Sequence, residues 1–530
     1  MLGSELLFHF MNVMLMTGLV APLVLWRYRR AVLAGMQAKA GAALPLAPPQ
    51  GARPRAAEAA FGVAAELAWE ARVRRRVFLA VVAALALPVT LLAANHIVLN
   101  ELHRTVSTFW LVAGSAMLMA VPMFAVLVAM PFARAVAIGV ATLAAFAVAV
   151  VPLTMAERAF AGRLPSLDQT LNAVNFVQYA AINLALPLVL AALIGMRRVR
   201  GVAPFVFAGL LVFALAPLFG IRLTQLLGGM EWSADWVLAG GFHVGALLLA
   251  LPVGIAAWWR LKALARAYDA KRFSDAQLLA HSWWLMYVAA HAIEQLAVHS
   301  GAAAPLAIAV VDSAAYLLFP PLLSRTLAWA ARAQPRPPRR MLLVLRVFGD
   351  RARTGALFER IASRWQRFGP VTTIAAPDAA ADTVDPGDLL RFATGRIAES
   401  FVTSRDDLVQ RLAALDVEPD RDGRYRITEF CCRDDTWQAT VVALIARADA
   451  IVMDLRGFTA ERRGAEFELH QLAARTNADR IVLIVDDKTD RPLLARAWPA
   501  DAKPPAAMEV QRGSGRQADA AFAALLAAAG

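Results

Sequence analysis

Two patterns of apolar and polar positions divide this chain near Met341. Before it, apolar stretches of roughly 17 to 25 residues recur between charged or turn residues, the length a helix needs to cross about 30 Å of hydrocarbon. They run near Leu6–Trp26, Val77–Leu99, Phe109–Met130, Ala135–Met155, Phe176–Met196, Val202–Ile221, Trp236–Trp258, Ser282–Val298 and Ala302–Leu323. The pattern therefore predicts a multi-pass α-helical membrane bundle of about nine spans over residues 1–332. A run over Ala56–Arg76 mixes Phe61, Leu67 and Trp69 with Glu58, Glu66 and Glu70. It reads as an interfacial helix or as a solvated extension of the next span.

After a Pro/Arg linker, 333–340, short apolar runs alternate with helical periods. Strands are expected at Leu342–Phe348, Val371–Ile374, Tyr425–Cys431, Ala450–Asp454 and Ile481–Val485. Helices are expected near Thr354–Trp365, Leu408–Leu415, Thr436–Ala446 and Arg463–Ala474. Such alternation predicts a cytoplasmic α/β domain over 341–498 with a mainly parallel, flavodoxin-like sheet. The remainder, 499–530, reads as a Pro/Ala linker and a C-terminal helix outside that domain. Asp435 and Gln438 have the spacing of an N-cap and its N3 partner.

Composition and charge locate the chain. Hydrophobic residues make up 59% and charged residues 18%, which excludes a purely cytosolic enzyme. The net charge of +13 could suggest nucleic acid, but splitting after Arg340 leaves +15 in the apolar part and −2 in the polar part. The excess is thus a topology signal and no nucleic-acid partner is expected. With nine spans and the N-terminus outside, inner loops hold 24 basic residues and outer loops 4. This orientation puts the α/β domain in the cytoplasm of a plasma-membrane protein, with the lipid bilayer and anionic headgroups of the inner leaflet as partners. The first span, followed by Arg27, Arg29 and Arg30, reads as an uncleaved anchor.

Ligands of parallel sheets bind beyond the carboxyl ends of the strands, which selects Gly349, Asp350, Asp434, Arg456 and Gly457 as candidate binding residues. Neither a phosphate loop nor a dinucleotide fingerprint is present. Arg447 to Thr459 followed by Arg463-Gly-Ala-Glu-Phe-Glu-Leu469 and Arg480 to Asp487 resembles the later half of Toll/interleukin-1 receptor (TIR)-like domains and of the nucleoside deoxyribosyltransferase-like group. The resemblance covers roughly 341 to 490, about a quarter of the chain. It departs from the TIR pattern where Gly464-Ala465 stands in place of a Trp-Cys pair and where no serine-rich loop precedes.

In both families a helix-borne glutamate works at a ribose. The resemblance implies Glu468, or alternatively Glu466, as the carboxylate, and NAD or a nucleotide as ligand or substrate, with no resident cofactor. The plainer account of both glutamates is a helix N-terminus favouring negative charge. Three functions follow: a TIR-like signalling or interaction domain with a homo-oligomeric or cytoplasmic protein partner, an enzyme cleaving nucleotide or NAD glycosidic bonds, or a transporter with a regulatory domain.

Ionisable residues inside apolar helices need partners. His291, Glu294, Gln295 and His299 share one helical face, and antiparallel packing about Gly301 places Asp312 at the depth of His291. A His291–Asp312 clasp is expected, with a proton path or a metal site involving His243 as the functional alternatives. No metal-ligand spacing is present. Cys431-Cys432 reads as buried strand in a reducing compartment.

Overall fold

A computed structural model describes residues 22–38, 62–99, 255–298 except 257, 303–332, 336–346, 351–375, 386–498, 503–510 and 515–530, with isolated positions 113, 137, 140, 141 and 144. The chain divides into two compact units: Met1–Val24 with Arg76–Ala330, and Leu25–Arg75 with Ala331–Gly530.

In the first unit the described helices include α1 (Val63–Leu99, from Arg76 onward), α2 (Asp275–Val298) and α3 (Ala303–Ala331), and residues 258–269 are also helical. Among the described residues two helices are long and apolar enough to cross a membrane, Val63–Leu99 and Pro305–Ala331. This corrects the bundle of about nine spans, and the 24-to-4 loop count falls with it. The expected spans from Phe109 to Ile221 lie outside the described residues apart from isolated positions, as do nearly all of 6–26 and 236–258. The stretch at Ser282–Val298 does form a helix, within Asp275–Val298, but it is not one of those two. A long apolar run also fails to tell a lipid-facing helix from a buried one: half of the apolar window of α1 is covered by protein.

Helix α2 opens with a reciprocal cap, Gln277 N donating to Ser274 Oγ at 3.2 Å and Ser274 N to Gln277 Oε1 at 2.9 Å. It packs on α3 through Trp284, whose Nε1 donates to Ala315 O at 3.1 Å and whose ring lies 5.2 Å from that of Phe319. Pro88 in α1 and Pro320-Pro321 in α3 sit inside their helices, as apolar helices packed against neighbours permit. Leu79, Leu87 and Val98 of α1 and Leu306, Val310 and Leu317 of α3 are exposed.

The second unit is a seven-stranded sheet: β1 (Leu342–Arg346), β2 (Val371–Ile374), β3 (Phe401–Val402), β4 (Ile427–Cys432), β5 (Ala450–Asp454), β6 (Ile481–Val485) and β7 (Ala506–Glu509). Every pairing is parallel, in the order β3-β4-β2-β1-β5-β6-β7. Its helices are α4 (Arg351–Trp365), α5 (Pro386–Ala393), α6 (Arg405–Ala413), α7 (Trp437–Ile445), α8 (Arg463–Arg475), α9 (Arg491–Ala497) and α10 (Gly515–Ala529). Within this order, β2-β1-β5-β6-β7 is the 2-1-3-4-5 arrangement of flavodoxin-like sheets, extended past β2 by β4 and β3. The α/β expectation is therefore met.

The central strands β1, β5 and β6 are buried on both faces, as parallel strands between helices are. Leu343, Leu345, Ile451, Met453 and Leu483 pack with Val441 and Leu444 of α7 and Leu469 and Leu472 of α8. Trp365 of α4 and Phe522 of α10 are fully buried, their rings 6.1 Å apart.

Two boundaries move. The segment read as a terminal linker supplies β7, in register with β6, and α10, which buries Ala518, Ala521, Phe522, Leu525 and Leu526. Its small apolar residues looked like filler because alanine packs without announcing a face. The second unit also includes Leu25–Arg75. In α1 before Arg76, one face is packed: Glu66, Trp69, Glu70 and Val73 are buried, while Ala64, Ala68, Ala71, Arg72 and Arg75 are exposed. Glu66 Oε1 lies 2.8 Å from Arg340 Nη1, Arg364 holds Glu70 side-on at 2.9 and 2.6 Å, and the Trp69 and Phe368 rings lie 5.4 Å apart. Helix α7 starts at Trp437 with Thr436 as its N-cap residue, one position later than the expected Asp435. Thr436 Oγ1 accepts from Arg433 N at 2.9 Å and donates to Val402 O at 3.1 Å.

Candidate functional site at the carboxyl end of the sheet

The chain runs from β1 to β2, on to the edge strand β3 and back to β4 between them, then crosses to β5 on the other side of β1. The switch point of this doubly wound sheet thus lies between β1 and β5, where such folds hold ligands. There Arg346 and Asp454 are register partners at the strand ends. Both line a narrow crevice with Val344, Leu357, Phe358 and Val452. Arg346 also lies 3.8 Å from Glu429 of β4, reaching across β2, and its guanidinium sits 5.9 Å from the Phe358 ring centre.

Glu468 does not line that crevice, but the positive charge of Arg346 acts on it. On α8 it stands three residues after Ala465 and four before Leu472, both buried, so it shares their inward face. It is 2% exposed, and Oε2 has no hydrogen-bond partner. Burial raises its pKa to about 8, an effect that the positive charge of Arg346 partly offsets. A carboxyl held in this way is largely protonated at neutral pH. Glu466 lies in the first turn and is only half-buried. The helix-dipole account therefore suits Glu466, while Glu468 lies beyond the first turn where that effect has decayed.

The other expected residues separate. Arg456 is 3% exposed and donates from Nε and Nη2 to Asp454 at 2.9 and 2.7 Å. Gly457, at φ 72°, donates its N–H to Asp486 Oδ1 at 3.0 Å, a conformation that glycine adopts without strain. Both are therefore engaged in shaping the β5 loop, and Arg456 is not a free binding cation. Asp434 is exposed. Gly349 and Asp350 lie outside the described residues. Sequence reasoning missed Arg346 and Glu429, polar residues at strand positions where alternation alone predicts packing; the signal was a charge inside an otherwise apolar strand. Cys431 and Cys432 are free and buried at the end of β4, and burial pushes the Cys432 thiol up to about 12.

The first unit has a second polar group, formed by three helices. Asp312 of α3 accepts from Asn95 Nδ2 of α1 at 3.0 Å and from His291 Nδ1 of α2 at 2.9 Å. The expected His291–Asp312 pair is present. Nε2 of His291 is buried with no hydrogen-bond partner. Gln295 Nε2 donates to His96 Nδ1 at 3.1 Å, and the His96 and His291 rings are 5.6 Å apart. The side chain of Glu294, and His243 and His299 altogether, lie outside the described residues. Among the described residues no group of three or more His, Cys, Asp or Glu could hold a metal ion.

Comparison of this chain with protein-family models, with curated proteins and with solved structures finds no match.

Proposed function

We propose that this is a membrane-associated protein whose α/β unit is a ligand-responsive signalling domain on the cytoplasmic side, of TIR-like character. The observation that carries the reading is Glu468: a buried carboxyl with an unpartnered oxygen, beside Arg346, at the switch point of a 2-1-3-4-5 sheet. A carboxyl in that condition costs stability, and a domain serving only as a docking surface has no use for it. Membrane association is supported by the two apolar helices and their exposed Leu and Val side chains. The cytoplasmic side is supported by the arginines at the end of each helix nearest the α/β unit in sequence, Arg72 to Arg76 before one and Arg325 to Arg340 after the other.

A second reading follows from the same residue. A neutral Glu468 could deliver its proton to the leaving base nitrogen of a nucleoside as the C1′–N bond breaks. Water would then supply hydroxide to C1′ and return the proton to the carboxylate. Incubating the purified full chain in neutral detergent with NAD, nucleosides and nucleotides, and following both thermal shift and products, separates the two. Binding without turnover supports the signalling domain. Turnover that Glu468→Gln abolishes supports the enzyme, and neither binding nor turnover sinks both.

A further inference from the structure

At the opposite, amino end of the sheet, the α/β unit buries a cation with no hydrogen bond to Nη2. Arg367 follows α4, is 2% exposed, and its Nη2 has no partner. The backbone around it is tightly held: Tyr425 N donates to Gln366 O at 2.7 Å, and the Phe368 ring packs on Trp69. These contacts bring in two more arginines, Arg424 ahead of β4 and Arg74 of α1, whose positive charges both act on Arg367.

The carboxylates nearby are largely committed. Glu70 is taken by both Nε and Nη2 of Arg364 and lies 3.9 Å from Arg74. Asp422 lies 3.9 Å from Arg424 and accepts the Arg424 N–H at 3.1 Å. Arg364 also pairs with Asp519, which Arg360 engages as well. Burial, and then Arg424, lower the Arg367 pKa to about 9, so it remains a cation at neutral pH. A buried guanidinium lacking a full complement of hydrogen bonds requires an account, and an unbonded donor on which two further guanidinium charges act is suited to an anion.

We propose that Arg74, Arg367 and Arg424 form a binding site for a phosphate group, supplied by an anionic lipid headgroup or by free phosphate. Arginine suits phosphate because its planar fork meets two oxygens at once. Arg74 is the accessible member, with 31% of its side chain exposed. It precedes Val77, where the apolar stretch of α1 begins, by three residues or about 4.5 Å of helix, which is headgroup depth if α1 crosses the bilayer. The lipid source rests on that crossing, whereas the anion site itself does not.

The test is thermal unfolding of the full chain in neutral detergent with added short-chain phosphatidylglycerol, with phosphatidylcholine of equal chain length, and with inorganic phosphate against chloride at matched ionic strength. Phosphatidylglycerol at about 100 times its dissociation constant should raise Tm by roughly 5 °C, with no rise from phosphatidylcholine. Arg74→Gln and Arg424→Gln should each at least halve the rise. Arg367→Met should abolish it while leaving the unliganded Tm unchanged or higher, because the variant removes a buried charge and keeps the apolar volume. A rise with inorganic phosphate alone that Arg367→Met abolishes would assign the site to a soluble anion, whatever the fate of the membrane reading. No rise from any phosphate, or the same rise in Arg367→Met, would overturn the proposal.

Discussion

Replacing Glu468 with glutamine tests the protonation state on which the candidate site depends. The carboxyl has an ordinary value of 4.5 and is raised to about 8 in the folded chain. Between those values the native protein holds a proton that the unfolded chain has released. Stability is therefore full below about pH 4.5 and falls as pH rises toward 8. The slope approaches about 1.4 kcal/mol per pH unit, so the whole span corresponds to an upper value of roughly 5 kcal/mol. Glutamine keeps the shape and does not titrate. Any cost of its amide is independent of pH, so the quantity to read is the change of the difference with pH. From pH 5 to pH 7.5 the variant should gain about 3 kcal/mol on the parent, or roughly 6 to 12 °C in Tm. Asp420, which burial raises to about 6, titrates in both proteins and cancels in the difference. The assay is thermal unfolding of both full chains in neutral detergent at half-unit pH steps. A difference that stays constant, or a variant that loses ground as pH rises, would mean that Glu468 is ionised and held by Arg346, and the reasoning would fail.

Other consequences are equally direct. Burial raises both thiols, Cys432 to about 12 and Cys431 well above 9, so iodoacetamide at pH 8 should alkylate neither in the folded chain, at least about 1,000-fold slower than in denaturant; fast labelling in buffer would contradict the packing of β4. Glu70→Ala would leave the Arg364 guanidinium, 14% exposed, with Asp519 as its remaining acid partner, at a cost of about 3 kcal/mol read as lost Tm. A Cβ at Gly369 would meet Arg340 O at 1.9 Å, so Gly369→Ala should destabilise by about 3 kcal/mol or more, since backbone cannot yield as a side-chain tip can; an unchanged Tm would contradict the fold at that turn. Asp312→Leu strands the Asn95 and His291 donors and should lower the unfolding temperature by the equivalent of about 1 to 2 kcal/mol, an effect absent if the cluster is not a clasp.

Much of the α/β core could be read from local pattern. Val371–Ile374, Ala450–Asp454 and Ile481–Val485 are strands with the expected bounds, because short runs rich in β-branched and large apolar residues, bounded by turns, have few alternatives. Strand β3, two residues long, and β7, with Ala506 and Ala507 exposed, escaped notice because neither has an alternating pattern. Their pairing with β4 and β6 creates them. At the site, Glu468 could be nominated from resemblance and helical phase. Its separation from Glu466 could not, since a turn of a helical wheel leaves open how far the neighbouring layer extends.

Sequence alone determined the division into an apolar and an α/β part, the parallel character of the sheet, and the depth match of His291 with Asp312. These follow from period, length and composition, which act locally. Tertiary structure decided the rest. It limited the described membrane-crossing candidates to two, because hydropathy does not say whether an apolar face meets lipid or protein. It also joined residues 25–75 and the C-terminal segment to the α/β unit, through ion pairs such as Glu70–Arg364 whose partners lie 294 positions apart. At the site it decided which carboxyl is buried against Arg346, because desolvation depends on everything that surrounds a group and no short window of sequence contains that.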